Sequence, residues 1–369
     1  MRIVIAGGSV GGLFAAELLR RAGHDVTIYE RSSSGLEGRG AGLVAQQEVF
    51  AMLREAGVEH VARFGVEARE RIVLDRAGAI VHRQATPQTQ LSWDRLFRVF
   101  RERVPEGSYV GGRAVTGVTQ EAGRALVHLA DGTTQAADLV IAADGLGSTL
   151  RAAVAGPGAR PAYAGYVAWR GLVPETAVPA EAAAVLFERF AFYDMPGAQA
   201  LGYLVPGPDG AIAPGRRRYN WVWYRRSTPE QLAEVLTDAD GQPHDFSLAP
   251  GQMRPEAAEA LRADALRLLP PAFAAAVEAE PRPFVQAIFD YAAPRLVAGR
   301  LVLIGDAAFV ARPHTAMGVA KAAGDAFALR DALAGARELP AALAAFERAR
   351  LEHGRAVVAY GRRLGASLG

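Results

Sequence analysis

The run Gly7-Gly8-Ser9-Val10-Gly11-Gly12 constrains this chain more than any other feature. It follows an apolar stretch, residues 2–6, that reads as a short buried strand, and it opens an Ala/Leu-rich stretch, residues 13–22, that reads as a helix. Gly23 is a natural helix stop, and residues 25–30 read as a second strand. Strand, glycines, helix and strand within about 30 residues form a βαβ unit. A turn of this kind presents backbone N–H groups at a helix start, where the dipole favours a pyrophosphate. Gly7 permits the turn and Gly12 permits close packing of helix on strand. Ser9 stands where the G-x-G-x-x-G pattern has its middle glycine, and it is small enough to keep the approach open. Glu30 lies 23 positions after Gly7, where an acid accepts hydrogen bonds from ribose hydroxyls. An acid there disfavours a 2′-phosphate, which leaves NAD and FAD as candidate ligands.

The remaining pattern is mixed α/β. Residues 32–42 read as a Ser/Gly-rich loop, 48–57 and 93–104 as helices, and 67–84 as strands broken at a turn, Asp75 to Gly78. Strand-like segments follow at 114–120, 125–129 and 137–142, the last running into Asp144-Gly145. Residues 163–224 alternate aromatic and apolar side chains between Pro/Gly turns, as in a mostly antiparallel sheet. Alternation puts Trp221 and Trp223 on one face and Val222 and Tyr224 on the other. Helical patterning covers 229–279, strands recur at 285–289 and 301–304, and helices run over 318–334 and to the C-terminus.

Composition narrows the function. Lys and Arg number 41 against 39 Asp and Glu, without the concentrated basic excess of a nucleic-acid partner. With no cysteine, disulfides, iron–sulfur clusters and Cys-based zinc sites are excluded. No acidic or His cluster has metal-ligand spacing. No signal peptide and no apolar run of about 18 residues is present, so a cytoplasmic location without membrane contact is expected.

Two further motifs decide the reading. Asp144-Gly145 ends one strand in mid-chain, and Gly305-Asp306 ends another late in the chain. Pro313, His314 and Gly318 follow the second, just before a helix. With the glycine loop, in this order and spacing, they span nearly the whole chain. The set resembles the group A flavoprotein monooxygenases, the p-hydroxybenzoate hydroxylase class. Within that class, Gly7-Gly8-Ser9, residues 163–171 (YAGYVAWRG) and residues 305–321 (GDAAFVARPHTAMGVAK) look most like the branch that hydroxylates 2,6-dihydroxypyridine.

The resemblance implies a Rossmann-type FAD-binding domain (1–70, 95–160 and 280–335) interleaved with a mostly antiparallel β-sheet substrate domain (71–94 and 161–279). A C-terminal helix (336–369) closes the chain. It implies FAD as cofactor, NADH or NADPH as co-substrate, O2, and a small hydroxylated aromatic or N-heteroaromatic substrate attacking a flavin C4a-hydroperoxide. Gly7 to Gly12 and Glu30 would hold the ADP half, with Arg31, Gly42, Val115, Asp144 and Gly145 also near the cofactor. Asp306 would meet its ribityl and pyrophosphate region, and Pro313 is a further cofactor-binding candidate. Gly318 and Val319 would aim N–H groups at the flavin ring, where a helix start stabilises negative charge. His314 is the candidate base or proton relay, since an ordinary histidine titrates near neutrality. Trp169, Tyr203, Tyr224 and His314 are candidates for the substrate pocket, and a homodimer is the expected assembly.

Departures are specific. Where the family carries Gly-Gln-Gly-x-Asn, this chain has Ala316, Met317, Gly318 and Ala320, and its usual Arg is Trp93, which would leave Arg95 or Arg98 to substitute. Three other readings stay open. The first is a flavin halogenase or a reductase on a related FAD scaffold; a halogenase would use Trp221-Val222-Trp223, but Tyr224-Arg225-Arg226 follows where Ile-Pro belongs. An NAD-dependent dehydrogenase would lack the late Gly-Asp motif. A non-catalytic flavin-binding protein would fit the incomplete Gly-Gln-Gly element.

Overall fold

The computed structural model describes residues 1–36 and 42–368, so residues 37–41 of the Ser/Gly-rich loop lie outside the described residues. The chain opens with β1 (Arg2–Ala6), α1 (Val10–Arg21), β2 (Asp25–Glu30), β3 (Gly42–Val44), α2 (Gln47–Glu55) and β4 (Val66–Ala68). Then come β5 (Glu70–Leu74), β6 (Ile80–Gln84), β7 (Gln88–Ser92), α3 (Trp93–Glu102), β8 (Tyr109–Gly111) and β9 (Val115–Glu121). β10 (Arg124–Leu129), β11 (Thr134–Ala137), β12 (Leu139–Ala142), α4 (Arg151–Ala155), β13 (Ala162–Pro174) and α5 (Ala180–Leu186) lead into β14 (Arg189–Met195), β15 (Ala198–Val205) and β16 (Arg218–Arg226). The last third holds α6 (Pro229–Val235), β17 (Ser247–Leu248), α7 (Pro255–Leu268), α8 (Pro271–Glu278), β18 (Phe284–Ala292), β19 (Val297–Ala298), β20 (Leu301–Leu303) and β21 (Phe309–Val310). Two long helices, α9 (Gly318–Gly335) and α10 (Leu339–Leu364), complete it.

Two large sheets organise these elements. The first has the order β19-β20-β12-β1-β2-β8 and is parallel apart from its β19 edge. Its central strands, such as Ile3-Val4-Ile5-Ala6 and Leu139-Val140-Ile141-Ala142, are apolar and buried throughout, as strands covered on both faces must be. Helix α1 packs on this sheet, and α9 packs on α1. The second sheet runs β17-β18-β13-β16-β15-β14-β5-β6 and is mostly antiparallel, with β21 joined to β18. Its back face, with Trp169, Trp221 and Trp223, packs into a core shared with Leu261, Phe273 and Val277 of α7 and α8. Its front face carries Tyr166, Ala168, Leu201, Tyr203, Val222, Tyr224 and Ile288.

The chain crosses between the sheets at other points than the pattern suggested. Residues 284–292 fall in the expected cofactor region, yet β18 pairs with β13 inside the large sheet. Residues 88–92 fall in the expected substrate region, yet β7 pairs with β3 and β4 in a small sheet of its own. In both cases strand pairing, not local composition, sets the boundary.

The first turn of α1 explains Gly12. A Cβ there would sit 2.0 Å from the Gly7 carbonyl oxygen, so helix and loop could not keep their spacing. Gly12→Ala is expected to cost about 1–3 kcal/mol, the range for overpacking a tight interior. Urea unfolding of the variant against the parent measures it, and an unchanged midpoint would contradict this account of the loop.

Candidate functional site

A cavity of about 1160 Å³ lies between the two sheets and is bordered by the loop before α9 and by Tyr360 and Leu364 of α10. On the parallel-sheet side it is lined by Gly7, Ser9, Glu30, Arg31, Val115, Asp144 and Gly145. Gly7 adopts φ +104°, a conformation that favours glycine. Gly8, Val10, Gly11 and Gly12 stand behind this lining and build it. The Gly8 N–H donates to Glu30 Oε2 at 2.8 Å, and the Ser32 N–H donates to Glu30 Oε1 at 2.9 Å. Glu30 is thus held in place at the cavity edge, with lone pairs left for a ligand.

The mid-chain and late motifs meet here. Asp144 Oδ2 accepts from the Thr149 and Leu150 N–H groups at 2.8 and 3.2 Å, while its Oδ1 is buried without a partner. Asp306 lines the cavity and accepts from the buried Lys321 ammonium at 3.0 Å. The Gly305 N–H donates to Asp325 Oδ2 at 2.9 Å. Between the motifs lies Arg151, buried, which donates to the carbonyls of Gly145, Leu146, Asp306 and Ala307 at 2.8–3.0 Å.

Pro313 and His314 form a short turn that leads to α9, and Gly318 and Val319 at the start of that helix line the cavity. No side chain caps α9 or α1, so the free N–H groups of both helix starts are left for a ligand. Ala316 sits at φ 53°, ψ 18°, a left-handed conformation where the family pattern has glycine. Its carbonyl accepts from Gln46 Nε2 at 2.9 Å, which helps hold the turn. Alanine in that conformation is strained by about 1–2 kcal/mol. Ala316→Gly is therefore expected to raise stability by up to about 1 kcal/mol after the entropy cost of glycine, measured by thermal or urea unfolding.

The large sheet supplies the other wall through Ala168, Arg170, Phe190, Leu201, Tyr203, Val222, Tyr224 and Ile288. Tyr203 OH donates to the Gly42 carbonyl at 3.2 Å, and a Cβ on Gly42 would lie 2.5 Å from the Tyr203 ring, so the loop needs glycine to close on the sheet. Burial pushes the Tyr203 phenol up to about 12 and the Tyr224 phenol higher still. Both stay neutral, as hydrogen-bonding walls.

Two expectations are corrected. Trp169 is not in the cavity: it points from the back of the sheet into the core beside Trp221 and Trp223. Its neighbours Ala168 and Arg170 face the cavity instead, as the two-residue period of a strand requires. His314 does lie in the cavity, its ring centroid 4.3 Å from that of Tyr224, and its Nε2 pairs with Tyr166 OH at 2.9 Å. It does not titrate near neutrality. Burial, and then the Arg312 guanidinium, pull it down to about 4. Trp93 itself lines the cavity and stacks on Phe97 at 5.2 Å, whereas Arg95 and Arg98 are not part of the lining. Sequence reasoning missed Tyr166, Arg71 and Gln46, and gave Arg170 no role. Only the strand period could have flagged Tyr166 and Arg170, once the inward face was known.

A neutral buried His314 ties stability to pH. The unfolded chain binds this proton below about 6.5 and the folded chain only below about 4. The contribution is full above 6.5 and lost as pH falls through that window. It amounts to roughly 3 kcal/mol. His314→Gln should lose less stability than the parent between pH 7 and pH 4, and parallel stability curves would refute the assignment.

Uncapped helix starts, an orphaned buried carboxylate oxygen and a glycine loop too tight for side chains suit a phosphate-bearing dinucleotide of the flavin type. Among the described residues, no group of His, Asp and Glu could hold a metal, and no helix is long and apolar enough to cross a membrane. The fold and site define a flavoprotein of the FAD-binding class.

Comparison with known proteins agrees. Family models described as "FAD binding domain-like" and "FAD binding domain" match residues 163–290 and 259–360. The chain is 32% identical over 359 residues to 2,6-dihydroxypyridine 3-monooxygenase of Paenarthrobacter nicotinovorans, covering 96% of this chain and 88% of that one. The structure of 2,6-dihydroxypyridine-3-hydroxylase from Arthrobacter nicotinovorans superposes with a TM-score of 0.93 at 31% identity, over 100% of this chain and 92% of the other. Klebsiella pneumoniae HpxO, solved with FAD and uric acid, gives a TM-score of 0.78 at 25% identity, over 100% of this chain and 89% of the other. The chain belongs to the family of FAD-dependent aromatic-ring monooxygenases that includes 2,6-dihydroxypyridine 3-monooxygenase.

Proposed function

We propose that this protein is a single-component hydroxylase of a small hydroxylated aromatic or N-heteroaromatic ring, using FAD, NADH or NADPH, and O2. One observation carries the reading: a single cavity joins the two helix starts and the Asp-Gly and Gly-Asp motifs to an apolar sheet face bearing Tyr203 and Tyr224. An apolar patch of this kind, Leu201, Val222 and Ile288 beside two phenols, suits a flat ring. A cytoplasmic setting fits a cysteine-free chain that draws on nicotinamide cofactors.

When bound, FAD supplies the redox and oxygen-transfer chemistry. The chain's own residues position and protect it. Gly7 to Gly12 and Glu30 would hold the adenosine and pyrophosphate part, with Arg31, Gly42, Val115, Asp144, Gly145, Asp306 and Pro313 around the rest. The N–H groups at Gly318 and Val319 would favour negative charge on the flavin ring. Phe190, Leu201, Val222 and Ile288 keep water from the reacting ring. His314 has Nε2 held by Tyr166 and no partner at Nδ1 among the described residues. A base of such low proton affinity stores no proton at neutrality. With Nε2–H donating to the Tyr166 oxygen, its Nδ1 would accept a hydrogen bond from a ring hydroxyl and so orient the ring.

The test is NADH and NADPH oxidation by the purified holoprotein against dihydroxypyridines, hydroxynicotinate, urate and simple phenols, with product masses recorded. The expected outcome is that one ring accelerates oxidation at least tenfold and gains one oxygen atom. A halogenated product, or oxidation unaffected by every ring, would sink the hydroxylase reading.

A further inference from the structure

Of the 41 Lys and Arg residues, Lys321 is the one lysine. Arginine serves everywhere else, at exposed ion pairs such as Arg83–Glu70 and at buried joints such as Arg151 and Arg217. Lys321 is also among the most buried side chains of the protein, with no exposed side-chain surface. It stands in the first turn of α9, where its N–H donates to the Met317 carbonyl at 2.8 Å. Its ammonium donates to Asp306 Oδ1 at 3.0 Å and to the Phe309 carbonyl. One turn further along α9, Asp325 Oδ2 accepts the Gly305 N–H at 2.9 Å. The buried face of α9 thus holds the Gly305-Asp306 turn with a charge of each sign.

The three carboxylates that line the cavity, Glu30, Asp144 and Asp306, are matched differently. Glu30 accepts from the N–H groups of Gly8 and Ser32, and Asp144 from those of Thr149 and Leu150. Asp306 alone of the three is paired with a full cation among the described residues. About half of its side-chain surface stays open, and its Oδ2 has no partner among the described residues. The ligand that this cavity suits carries phosphate charges. A carboxylate with no counter-charge would repel it. The ammonium behind Asp306 cancels that repulsion and leaves Oδ2 free to accept from a ligand hydroxyl. An ammonium is a compact charge with three donors, which suits a closed space between a carboxylate and a carbonyl better than a planar guanidinium does.

We propose that Lys321 is a positioning residue for the cofactor: through Asp306, whose carboxylate it aims and whose charge it cancels, it sets how tightly the cavity holds FAD. The proposal rests on the reading that FAD occupies this cavity, and not on the identity of the substrate ring. Lys321 touches no ligand itself, since its side chain has no exposed surface. Its effect on the cofactor therefore vanishes once residue 306 carries no charge.

The dissociation constant of FAD is measured for the parent holoprotein, Lys321→Met, Asp306→Asn and the double variant, from the fluorescence of FAD released on dilution. Thermal unfolding followed by circular dichroism reports the fold of each. Lys321→Met should hold FAD at least about tenfold more weakly, the scale of one coupled charged pair. Asp306→Asn should weaken it too, and adding Lys321→Met to Asp306→Asn should weaken it no further. A Lys321→Met protein that folds and matches the parent's Kd overturns the proposal. So does a loss of the same factor with and without the Asp306 charge, the mark of a side chain that only keeps α9 in place. If Lys321→Met does not fold, Lys321→Gln, which keeps a donor and drops the charge, takes its place in the same cycle under the same criteria. A parent that retains no FAD overturns the proposal together with the flavoprotein reading.

Discussion

The structure depends on one buried guanidinium. Arg151 follows the Asp144-Gly145 turn and reaches the Gly305-Asp306 turn, more than 150 positions later, through carbonyls of both. Carbonyl oxygens at strand ends need partners once buried, and a planar group with five donors is the side chain best able to serve two turns at once. The Asp144 and Asp306 carboxylates are aimed because the backbones beneath them are fixed. On the second turn, Asp325 and Arg350 extend the same logic, since Asp325 holds the Gly305 N–H and pairs with Arg350 of α10 at 2.7 Å. The C-terminal helix is thereby part of the scaffold of the site.

This scaffold gives the cavity walls of different character. The parallel sheet offers backbone N–H groups and carboxylates that are already organised, which suits a large polar ligand held the same way each time. The antiparallel sheet offers rings, small apolar groups and two arginines, Arg71 and Arg170. The wall that would meet the cofactor is built from backbone geometry, whereas the wall that would meet the substrate is built from side chains. Division of labour between a rigid binding frame and a variable pocket is how one fold serves many substrates.

Legibility in the sequence follows the same division. The glycine loop, Glu30 and the two Asp/Gly motifs could be read because the chemistry they serve demands particular backbone conformations, and few residues supply them. All of them reach one cavity or its underside. Trp169 was misplaced because both faces of the large sheet are apolar and buried. Only the packing of α7 and α8 decides which is the back. The proton affinity of His314 was misjudged because it depends on burial and on Arg312, neither of which spacing reveals. β18 was grouped with the wrong sheet because a strand covered on both sides looks alike in either.

The two-faced strands carry a consequence for how such a protein changes over time. Along β13 and β16, residues that hold the core and residues that face the cavity alternate, so each position answers to one demand. Trp169, Trp221 and Trp223 can stay fixed while Ala168, Arg170, Val222 and Tyr224 drift. A lineage can then trade one ring for another by single steps, without passing through an unfolded ancestor.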